Sequence, residues 1–553
     1  MNSFSKIISK WYVMLFAIVL IAAFLRFYQL GINPPALTWD EAAWGYNAYA
    51  LGADARDEFG RFMPHDYLES FGDFKPPMYA YLTIVPVKLI GLNEFATRFP
   101  SAFFGLLTVI MSYFLVKQIF YKSAHKNKYA LLTAFLLAIS PWHIMLSRAA
   151  FEANVATFFT VCGVWLYLKA MHENMWYLSV SAIFFVASVY TFNTPRLAAP
   201  ILIVLLSLLF IKKLLKNKKQ AIVACIIGIA LLLPTFSFLL SPQAALRYDE
   251  VNIFSDLNVI KVINQEVAND HNSKLSKIIH NRRIVFSVDF LQHYFDEFNF
   301  NFLFINGDPN PKFSSQDVGE MYFAYIPFFL LGILLLIRRK ESNWWLVFLW
   351  LLVGLIPAST SQQTPHALRI EFVIPMFEII VAYGIIQCYL YLSGISKKNK
   401  LPLFFTSCIF LFVLALNVTK FIHGYYTFYP KDFSQEWQYG YKQSIAYVAS
   451  VQGNYDQINI TDSLGRPYIY YLFYLKTPPS EFRKTAYISR DTFGFVHVLS
   501  FDKYYFGSNL SSIASKNQSN LYIDIPMNVP KNAHVLKTFY NLDKTPALVA
   551  YII

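Results

Sequence analysis

Residues 11–30 read WYVMLFAIVLIAAFLRFYQL, an apolar stretch in which Arg26 is the one charged residue. A helix of about 20 such residues is long enough to cross the roughly 30 Å hydrocarbon core of a bilayer. The stretch is long for the apolar part of a signal peptide, and a small-residue cleavage site is missing after it. We therefore expect residues 11–30 to be retained as a membrane span.

Similar apolar segments recur over the first 420 residues or so. Of the 553 residues, 56% are apolar and only 15% are charged, whereas soluble domains carry about 25% charged residues. This composition excludes a string of soluble domains and predicts an all-α polytopic membrane protein with about eleven transmembrane helices. The candidate spans lie near 11–30, 99–116, 129–146, 153–168, 175–192, 197–215, 221–240, 321–337, 344–358, 372–392 and 401–422.

The charged residues indicate how these spans are oriented. The chain has 47 basic and 34 acidic residues and a formal net charge of +13. The basic residues form short clusters between spans, as in 212–219 and 338–340. Such clusters in every second connection follow the positive-inside rule and do not indicate a nucleic-acid partner. They predict a multi-pass protein of the cell membrane with a cytoplasmic N-terminus and an extracytoplasmic C-terminus.

Three long segments then fall outside the membrane, namely 31–98, 241–320 and 424–553. The last has the composition of a soluble domain, and strand-like runs alternate in it with helix-like stretches, which is typical of a small α/β domain. The sequence thus predicts a transmembrane domain over 1–423 and an extracytoplasmic α/β domain over 424–553.

The first external segment contains the most informative polar residues. Asp40 and Glu41 lie about ten residues beyond the first span, and Lys75 and Arg98 follow on the same side of the membrane. A carboxylate and two cations are suited to deprotonate a hydroxyl and to bind a lipid-linked phosphate. A purely structural interpretation also fits: the acidic pair caps a helix, Lys75 extends towards water and Arg98 anchors the second span.

Two further positions have structural interpretations when taken alone. Arg148 and Glu152 are four residues apart, as neighbours on a helix surface are, and we expect an ion pair between them. Asp308 lies in a Gly-Asp-Pro-Asn-Pro sequence typical of a turn.

The motifs occur together in a characteristic order. They are Trp39-Asp40-Glu41-Ala42, Lys75-Pro76-Pro77, Arg98-Phe99-Pro100, Gly307-Asp308 and His366-Ala367-Leu368-Arg369. In this combination the chain resembles the lipid-phosphate-sugar-dependent C-type glycosyltransferases. More narrowly, it is similar to bacterial members of the protein O-mannosyltransferase and aminoarabinose transferase group, glycosyltransferase families 39 and 83. The resemblance covers about residues 10–420 and implies the C-type glycosyltransferase fold.

The resemblance also implies roles for individual residues. Asp40 matches the family's catalytic carboxylate, which acts as general base on the acceptor hydroxyl, and Glu41 would orient Asp40 or the acceptor. The loop with His366 and Arg369 faces the same cavity in this family. Phe74 stands where aminoarabinose transferases have a glutamate, so that branch's substrate and metal site do not transfer directly. The residues implied in substrate binding are Lys75, Arg98, Asp308, His366 and Arg369.

The expected activity is inverting transfer of a sugar, mannose or a related one, from a polyprenyl-phosphate donor. The acceptor would be a hydroxyl of a protein, a lipid or an envelope glycan on the extracytoplasmic face. The external loops lack a convincing Asp-x-Asp motif, so we expect no cofactor; a divalent metal is unsupported. Two alternatives stay open: a lipid-linked sugar flippase or transporter, and a non-catalytic envelope-assembly protein. Charged residues concentrated in external loops, without an inverted repeat, disfavour transport.

Overall fold

The computed structural model describes residues 2–241, 244, 252–255, 257–395, 400–491, 494–515 and 518–553. Residues 242–243, 245–251 and 256 of the predicted second external segment lie outside these ranges.

Apolar helices account for most of the first 430 residues. Those long and apolar enough to cross a membrane are Lys10–Phe27, Glu94–Ile119, Glu152–His172, Lys218–Leu239, Glu371–Gly394 and Leu401–Asp432. Helices Lys126–Ile139 and Pro141–Arg148 meet at a bend of 56° and would together form one further, broken span. Proline at the start of the second helix explains the break, because its ring clashes with the preceding turn. The expected all-α polytopic architecture is confirmed.

The number of spans stays a prediction. The helices Met78–Ile90, Tyr177–Val189, Asn193–Leu209 and Trp345–Ser359 are apolar but shorter. At about 1.5 Å per residue the longest of them reaches roughly 26 Å, short of a 30 Å core. Within the described residues, length and composition therefore support six or seven of the eleven expected spans.

The other α-helices are shorter or amphipathic. They are Trp39–Asp54, Ile211–Lys216, Leu257–Asn269, Lys274–Ile279, Arg282–Asp296, Ile326–Arg339, Tyr439–Val451, Pro467–Tyr474, Pro479–Thr485 and Leu510–Ile513. Single 3₁₀ turns lie at Ile253–Ser255, Phe323–Tyr325, Glu371–Val373, Gln452–Asn454 and Pro526–Asn528, and π-helical turns at Asn301–Ile305 and Gly424–Phe428.

Packing divides the chain into two compact units. The first unit contains Met1–Ala22, Leu106–Ile144 and Ala156–Thr419, and the second contains Ala23–Gly105, Met145–Val155 and Lys420–Ile553. The second unit thus combines the first external segment with the C-terminal region. The boundary at 423/424 was drawn from composition and stays a prediction, because packing groups the residues differently.

The second unit contains two β-sheets. A hairpin pairs β1 and β2 antiparallel, and seven strands form a mixed sheet in the order β4-β5-β6-β3-β7-β9-β8. In the larger sheet β3 runs parallel to both neighbours, and its residues are all buried. The expected C-terminal sheet domain is confirmed. The strands are β1 Leu68–Ser70, β2 Asp73–Lys75, β3 Gln457–Thr461, β4 Tyr487–Arg490, β5 Val496–Phe501, β6 Tyr504–Gly507, β7 Asn520–Asp524, β8 His534–Tyr540 and β9 Pro546–Ile552.

One helix of the first external segment packs on this domain. Helix Trp39–Asp54 lies against helix Pro467–Tyr474, and the Tyr470 hydroxyl donates to the carbonyl of Leu37 at 3.1 Å. Gly45 permits the close approach, because a Cβ there would lie 2.5 Å from the Phe473 ring. The larger sheet and its helices therefore support helix Trp39–Asp54, whose first turn contains Asp40 and Glu41.

Candidate functional site

The start of helix Trp39–Asp54 is a capping box. The Thr38 hydroxyl accepts the backbone N–H of Glu41 at 3.3 Å, and the Glu41 carboxylate accepts the backbone N–H of Thr38 at 3.0 Å. These bonds satisfy two donors that the helix leaves unpaired. Asp40 lies in the same turn, where the helix dipole favours a carboxylate. The cap interpretation thus holds for Glu41 and leaves Asp40 available for another role.

Glu41 is buried and forms an ion pair with Arg98. Its side chain is 1% exposed and that of Arg98 is 0% exposed. Arg98 Nε donates to Glu41 Oε1 at 2.8 Å and Nη2 donates to Oε2 at 3.2 Å. The backbone N–H of Ala150 also donates to Oε1, at 2.9 Å. Glu41 therefore joins three segments of the second unit and is a positioning residue for Asp40.

Arg98 uses its remaining donors on backbone carbonyls. Its Nη1 donates to Leu30 at 3.2 Å and Pro34 at 2.8 Å, and Nη2 donates to Ala36 at 2.5 Å. A guanidinium has five N–H groups, and acceptors within the described residues engage all five. This geometry departs from the expected substrate contact, because Arg98 has no donor to offer a phosphate. We assign it a positioning role for the loop before Asp40.

Asp40 pairs with Lys75 next to the buried Glu41–Arg98 pair. The β1–β2 hairpin ends at Lys75, whose Nζ donates to Asp40 Oδ1. The Asp40 side chain is 49% exposed, whereas that of Lys75 is 10% exposed. The ammonium lies 5.5 Å from the centre of the Trp44 ring and 5.9 Å from that of Phe71, distances at which aromatic faces stabilise a cation.

Nearby carboxylates favour the charged form of Lys75. Burial lowers the pKa of Lys75, but the nearby carboxylates of Asp40, Asp73 and Glu152 outweigh this effect and leave the pKa above its ordinary value. Lys75 is therefore a fixed cation facing several carboxylates, in a partly buried place where charge interactions are strong.

The structure does not pair Arg148 with Glu152, although an ion pair was expected between them. Arg148 donates instead to the hydroxyl of Tyr425 at 3.1 Å and to the carbonyl of Asn33 at 2.8 Å, whereas Glu152 contributes to the field at Lys75. The i, i+4 spacing suggested an ion pair, yet helix Pro141–Arg148 ends before helix Glu152–His172 begins. The two residues therefore do not share a helix face.

The first unit contains a second polar cluster, around Asp308. Asp308 Oδ1 accepts the backbone N–H of Asn310 at 2.8 Å, and Oδ2 accepts that of Ala367 at 2.7 Å. The backbone N–H of Asp308 donates to Glu320 at 2.9 Å, and Gly307 before it has a φ of 81°, which glycine adopts easily. Asp308 is 3% exposed. Its carboxylate joins two loops, and the expected substrate contact stays a prediction.

His366 lies in the loop that Asp308 holds. Its backbone N–H donates to Glu297 at 3.1 Å, and its ring lies against that of Phe313, with 4.8 Å between ring centres and 35° between ring planes. Burial, and secondly the charge of Arg369, lower the pKa of His366 to about 3. Its Nδ1 is 3.9 Å from Asp308 Oδ2, too far for a hydrogen bond. His366 is therefore neutral at physiological pH and cannot act there as a cation for phosphate.

The carboxyl groups around His366 are also perturbed. Burial raises the pKa of Asp308 to about 6 and that of Glu297 to about 8. Arg369 is half-buried and donates to the Gln363 carbonyl at 3.1 Å and to the Ser361 hydroxyl. It is the cation of this cluster, and it stays a candidate for binding phosphate. The predicted convergence of Arg369 and His366 with Asp40 concerns residues of different units and stays a prediction.

Among the residues that the structure describes, no three His, Cys, Asp or Glu side chains are grouped so that they could hold a metal ion. The expectation that no cofactor is used stays a prediction.

A family model and two relatives each match about a third of this chain. Residues 16–191, which include Asp40, Lys75 and Glu152, match the family model described as dolichyl-phosphate-mannose-protein mannosyltransferase. An uncharacterised protein of Aquifex aeolicus is 31% identical over 173 residues, 30% of this chain and 32% of that protein. The Bacillus subtilis protein YkcB is 27% identical over 160 residues, which are 29% of this chain and 21% of YkcB. Its name assigns it provisionally to the mannosyltransferases. The matched residues thus make up about a third of the Aquifex aeolicus protein and about a fifth of YkcB.

The fold is similar to a solved structure over almost the whole chain. ArnT from Cupriavidus metallidurans, crystallised with undecaprenyl phosphate, superposes with a TM-score of 0.54, covering 98% of both chains at 12% identity. At this identity the similarity establishes the fold. The resemblance to C-type membrane glycosyltransferases that the sequence motifs indicated is confirmed, and the chain is a multi-pass membrane protein.

Proposed function

We propose that this chain, with its C-type glycosyltransferase fold, is an inverting glycosyltransferase of the cell membrane. It transfers mannose or a related sugar from a polyprenyl-phosphate carrier to a hydroxyl of a protein, lipid or envelope glycan. The dolichyl-phosphate-mannose description of the matching family supports the donor class. The undecaprenyl phosphate bound to ArnT supports a lipid phosphate.

The pairing of Asp40 with Lys75 is the observation that carries the proposal. An accessible carboxylate and a cation fixed by burial are in direct contact at the start of a well-supported helix. The buried Glu41–Arg98 pair holds that helix start in place. Such preorganisation is what acid–base and electrostatic catalysis require, since donors and charges need no rearrangement during the reaction.

Asp40 accepts the proton of the acceptor hydroxyl in the proposed reaction. As the hydroxyl oxygen bonds to the anomeric carbon, the bond from that carbon to the phosphate oxygen breaks. The bonding electrons leave with the phosphate, which becomes the polyprenyl phosphate product. One displacement inverts the anomeric centre, and no covalent enzyme intermediate forms. General-base catalysis of this kind contributes about 10²- to 10⁴-fold to a rate.

Lys75 has two roles in this scheme. In the absence of donor its ammonium is paired with Asp40 Oδ1. A bound lipid phosphate competes for the ammonium and so releases that oxygen for the acceptor hydroxyl. Lys75 then stabilises the charge that develops on the leaving phosphate. Because Lys75 supplies this charge, we propose that the reaction needs no metal cofactor.

The site faces the extracytoplasmic side in this proposal. The basic clusters between the apolar segments support a cytoplasmic N-terminus. With an odd number of spans, the C-terminal domain and the first external segment then both lie outside. The partners are the lipid-linked donor, the acceptor and the membrane lipids, without nucleic acid.

The test compares wild type with Asp40→Asn and the control Asp54→Asn. Asp54 ends the same helix and is exposed, and it pairs with Arg483. Purified protein in detergent is given radiolabelled polyprenyl-phosphate mannose and a membrane extract as acceptor, with and without EDTA. Donor binding is measured separately for each protein.

We expect Asp40→Asn to bind the donor but to lose transfer by at least about 10²-fold, while Asp54→Asn stays active. Equal transfer by all three proteins would remove Asp40 from the mechanism. Wild type that transfers none of a panel of lipid-linked sugars, yet moves them across vesicles, would favour the flippase. Binding without transfer or movement would favour an assembly protein. Loss of transfer in EDTA would contradict the metal-free reaction.

A further inference from the structure

The helix Arg282–Asp296 has an apolar stripe on its outer surface. Ile284, Val288, Leu291 and Phe295 are 46%, 56%, 52% and 64% exposed. At 100° per residue the four side chains fall within an arc of about 60°. Phe286 points the other way and is 8% exposed. The helix therefore packs on its own unit with one face, and its apolar face has no cover within the described residues.

The short helix just before it has the same character. In Lys274–Ile279, Leu275, Ile278 and Ile279 are 66%, 63% and 53% exposed. So many exposed large apolar side chains on two successive helices are unusual for a surface in water. They mark a contact with protein or lipid.

Basic residues accompany the apolar ones. The chain from Lys274 to Arg283 contains four lysines and arginines without an aspartate or glutamate. Arg282 and Arg283 begin the longer helix, and both are exposed. Cations beside a narrow apolar stripe are the pattern of helices that lie in a membrane interface, with the cations near lipid phosphates.

The contacts of the helix place it beside a membrane-type surface. The Tyr294 hydroxyl donates to the Leu352 carbonyl at 2.9 Å, and His293 Nδ1 lies 2.8 Å from the Ser361 carbonyl. Leu352 is 50% exposed and belongs to the apolar helix Trp345–Ser359. It lies seven residues from the end of that helix, or about 10 Å at 1.5 Å per residue. Leu352 is the middle residue of that helix and Ser361 lies just beyond its end. The amphipathic helix is thus fixed along the C-terminal half of the apolar helix, next to the exposed side chain of Leu352.

We propose that helix Arg282–Asp296 lies in the lipid–water interface of the membrane, with its apolar stripe among the acyl chains. Ile284, Val288, Leu291 and Phe295 contact the lipid, and Arg282 and Arg283 bind anionic headgroups. The helix is too short and too charged to cross the bilayer, so it lies along the surface.

This position has a consequence for the second polar cluster. Asp296 accepts the Thr364 hydroxyl at 3.0 Å, and Glu297 accepts the backbone N–H of His366. The membrane-bound helix therefore holds the loop that ends at Arg369 near the depth of lipid phosphates. The relevance of that depth for donor binding rests on the proposed function, whereas the lipid contact itself does not.

The experiment measures collision of a nitroxide label with oxygen, which partitions into lipid, and with a water-soluble nickel chelate. Full-length protein with its four cysteines replaced by alanine is reconstituted, one copy per nanodisc, with anionic lipid. The labelled variants are Val288→Cys and Leu291→Cys. The matched control is Val535→Cys, because Val535 is also an exposed valine, 48% accessible, on β8 of the second unit.

We expect the oxygen-to-nickel collision ratio to be several-fold higher at 288 and 291 than at 535. Equal ratios at the three positions would show that the stripe faces water and would overturn the proposal. Protection from both reagents, or spin–spin coupling when two copies share a nanodisc, would show that protein covers the stripe and would overturn it as well. None of these outcomes depends on transferase activity, so they distinguish this proposal from the proposed function.

Discussion

Replacing Arg98 with lysine should loosen the first external segment while keeping the positive charge. Arg98 gives five N–H donors to Glu41 and to three backbone carbonyls, all within a buried place. A lysine has three donors, so at least two of these five bonds are lost. Hydrogen bonds to charged groups contribute about 1.5–3 kcal/mol each, which gives a loss of roughly 3–6 kcal/mol.

Hydrogen exchange of the protein in detergent measures this loss directly. The opening free energy of helix Trp39–Asp54 should fall by several kcal/mol in Arg98→Lys, because the lysine cannot make all the hydrogen bonds that Arg98 makes to Glu41 and to the loop before it. The matched control is Arg338→Lys, since Arg338 is exposed at the end of helix Ile326–Arg339. Exposed substitutions change stability by about 0.5 kcal/mol or less. An Arg98→Lys effect as small as that of the control would refute the positioning role of Arg98.

Two other predictions concern Lys75 and Glu58. Lys75→Met should weaken binding of polyprenyl phosphate about 10- to 150-fold, the equivalent of one charged hydrogen bond; unchanged binding in a flotation assay would remove Lys75 from the phosphate site. Glu58 is buried, and burial raises its pKa to about 8, so the folded state holds a proton that the unfolded state releases near pH 4.5. Stability should therefore fall as the pH rises from about 5 to 8, and less steeply in Glu58→Gln. Identical slopes of the unfolding temperature against pH in the two proteins, with exposed Glu481→Gln as control, would contradict this assignment.

The polytopic helical architecture was predictable because hydropathy is a local property. A segment such as 11–30 is apolar enough for the membrane whatever surrounds it. Only some strands of the C-terminal domain were predictable in this way. The strand-like runs at 457–461 and 520–525 coincide with β3 and β7, whereas β5, β6 and β8 were not expected from the sequence. Span lengths were less predictable, because packing ends helices such as Tyr177–Val189 earlier than the apolar run does.

The candidate site could be found only in part from the sequence. Asp40 and Lys75 were expected to act together, and the structure pairs them although 35 residues separate them. Arg98 and Asp308 were expected to contact substrate, yet both are buried and bonded to backbone groups. A sequence shows that a charged residue is present, but its donors and acceptors are assigned by the folded chain around it.

The sequence by itself therefore determined a membrane protein with many apolar helices and a C-terminal sheet domain, and it supplied the residue types of the proposed glycosyl-transfer site. Only the tertiary structure decided which charges are exposed and which are internal supports. Asp40 and Glu41 are adjacent in the chain, yet their surroundings differ. Asp40 is half-exposed and paired with Lys75, whereas Glu41 is buried and paired with Arg98. Successive side chains on a helix point about 100° apart, so neighbours with the same chemistry enter different surroundings. Those surroundings are formed by segments distant in sequence, and they determine what each carboxylate can do.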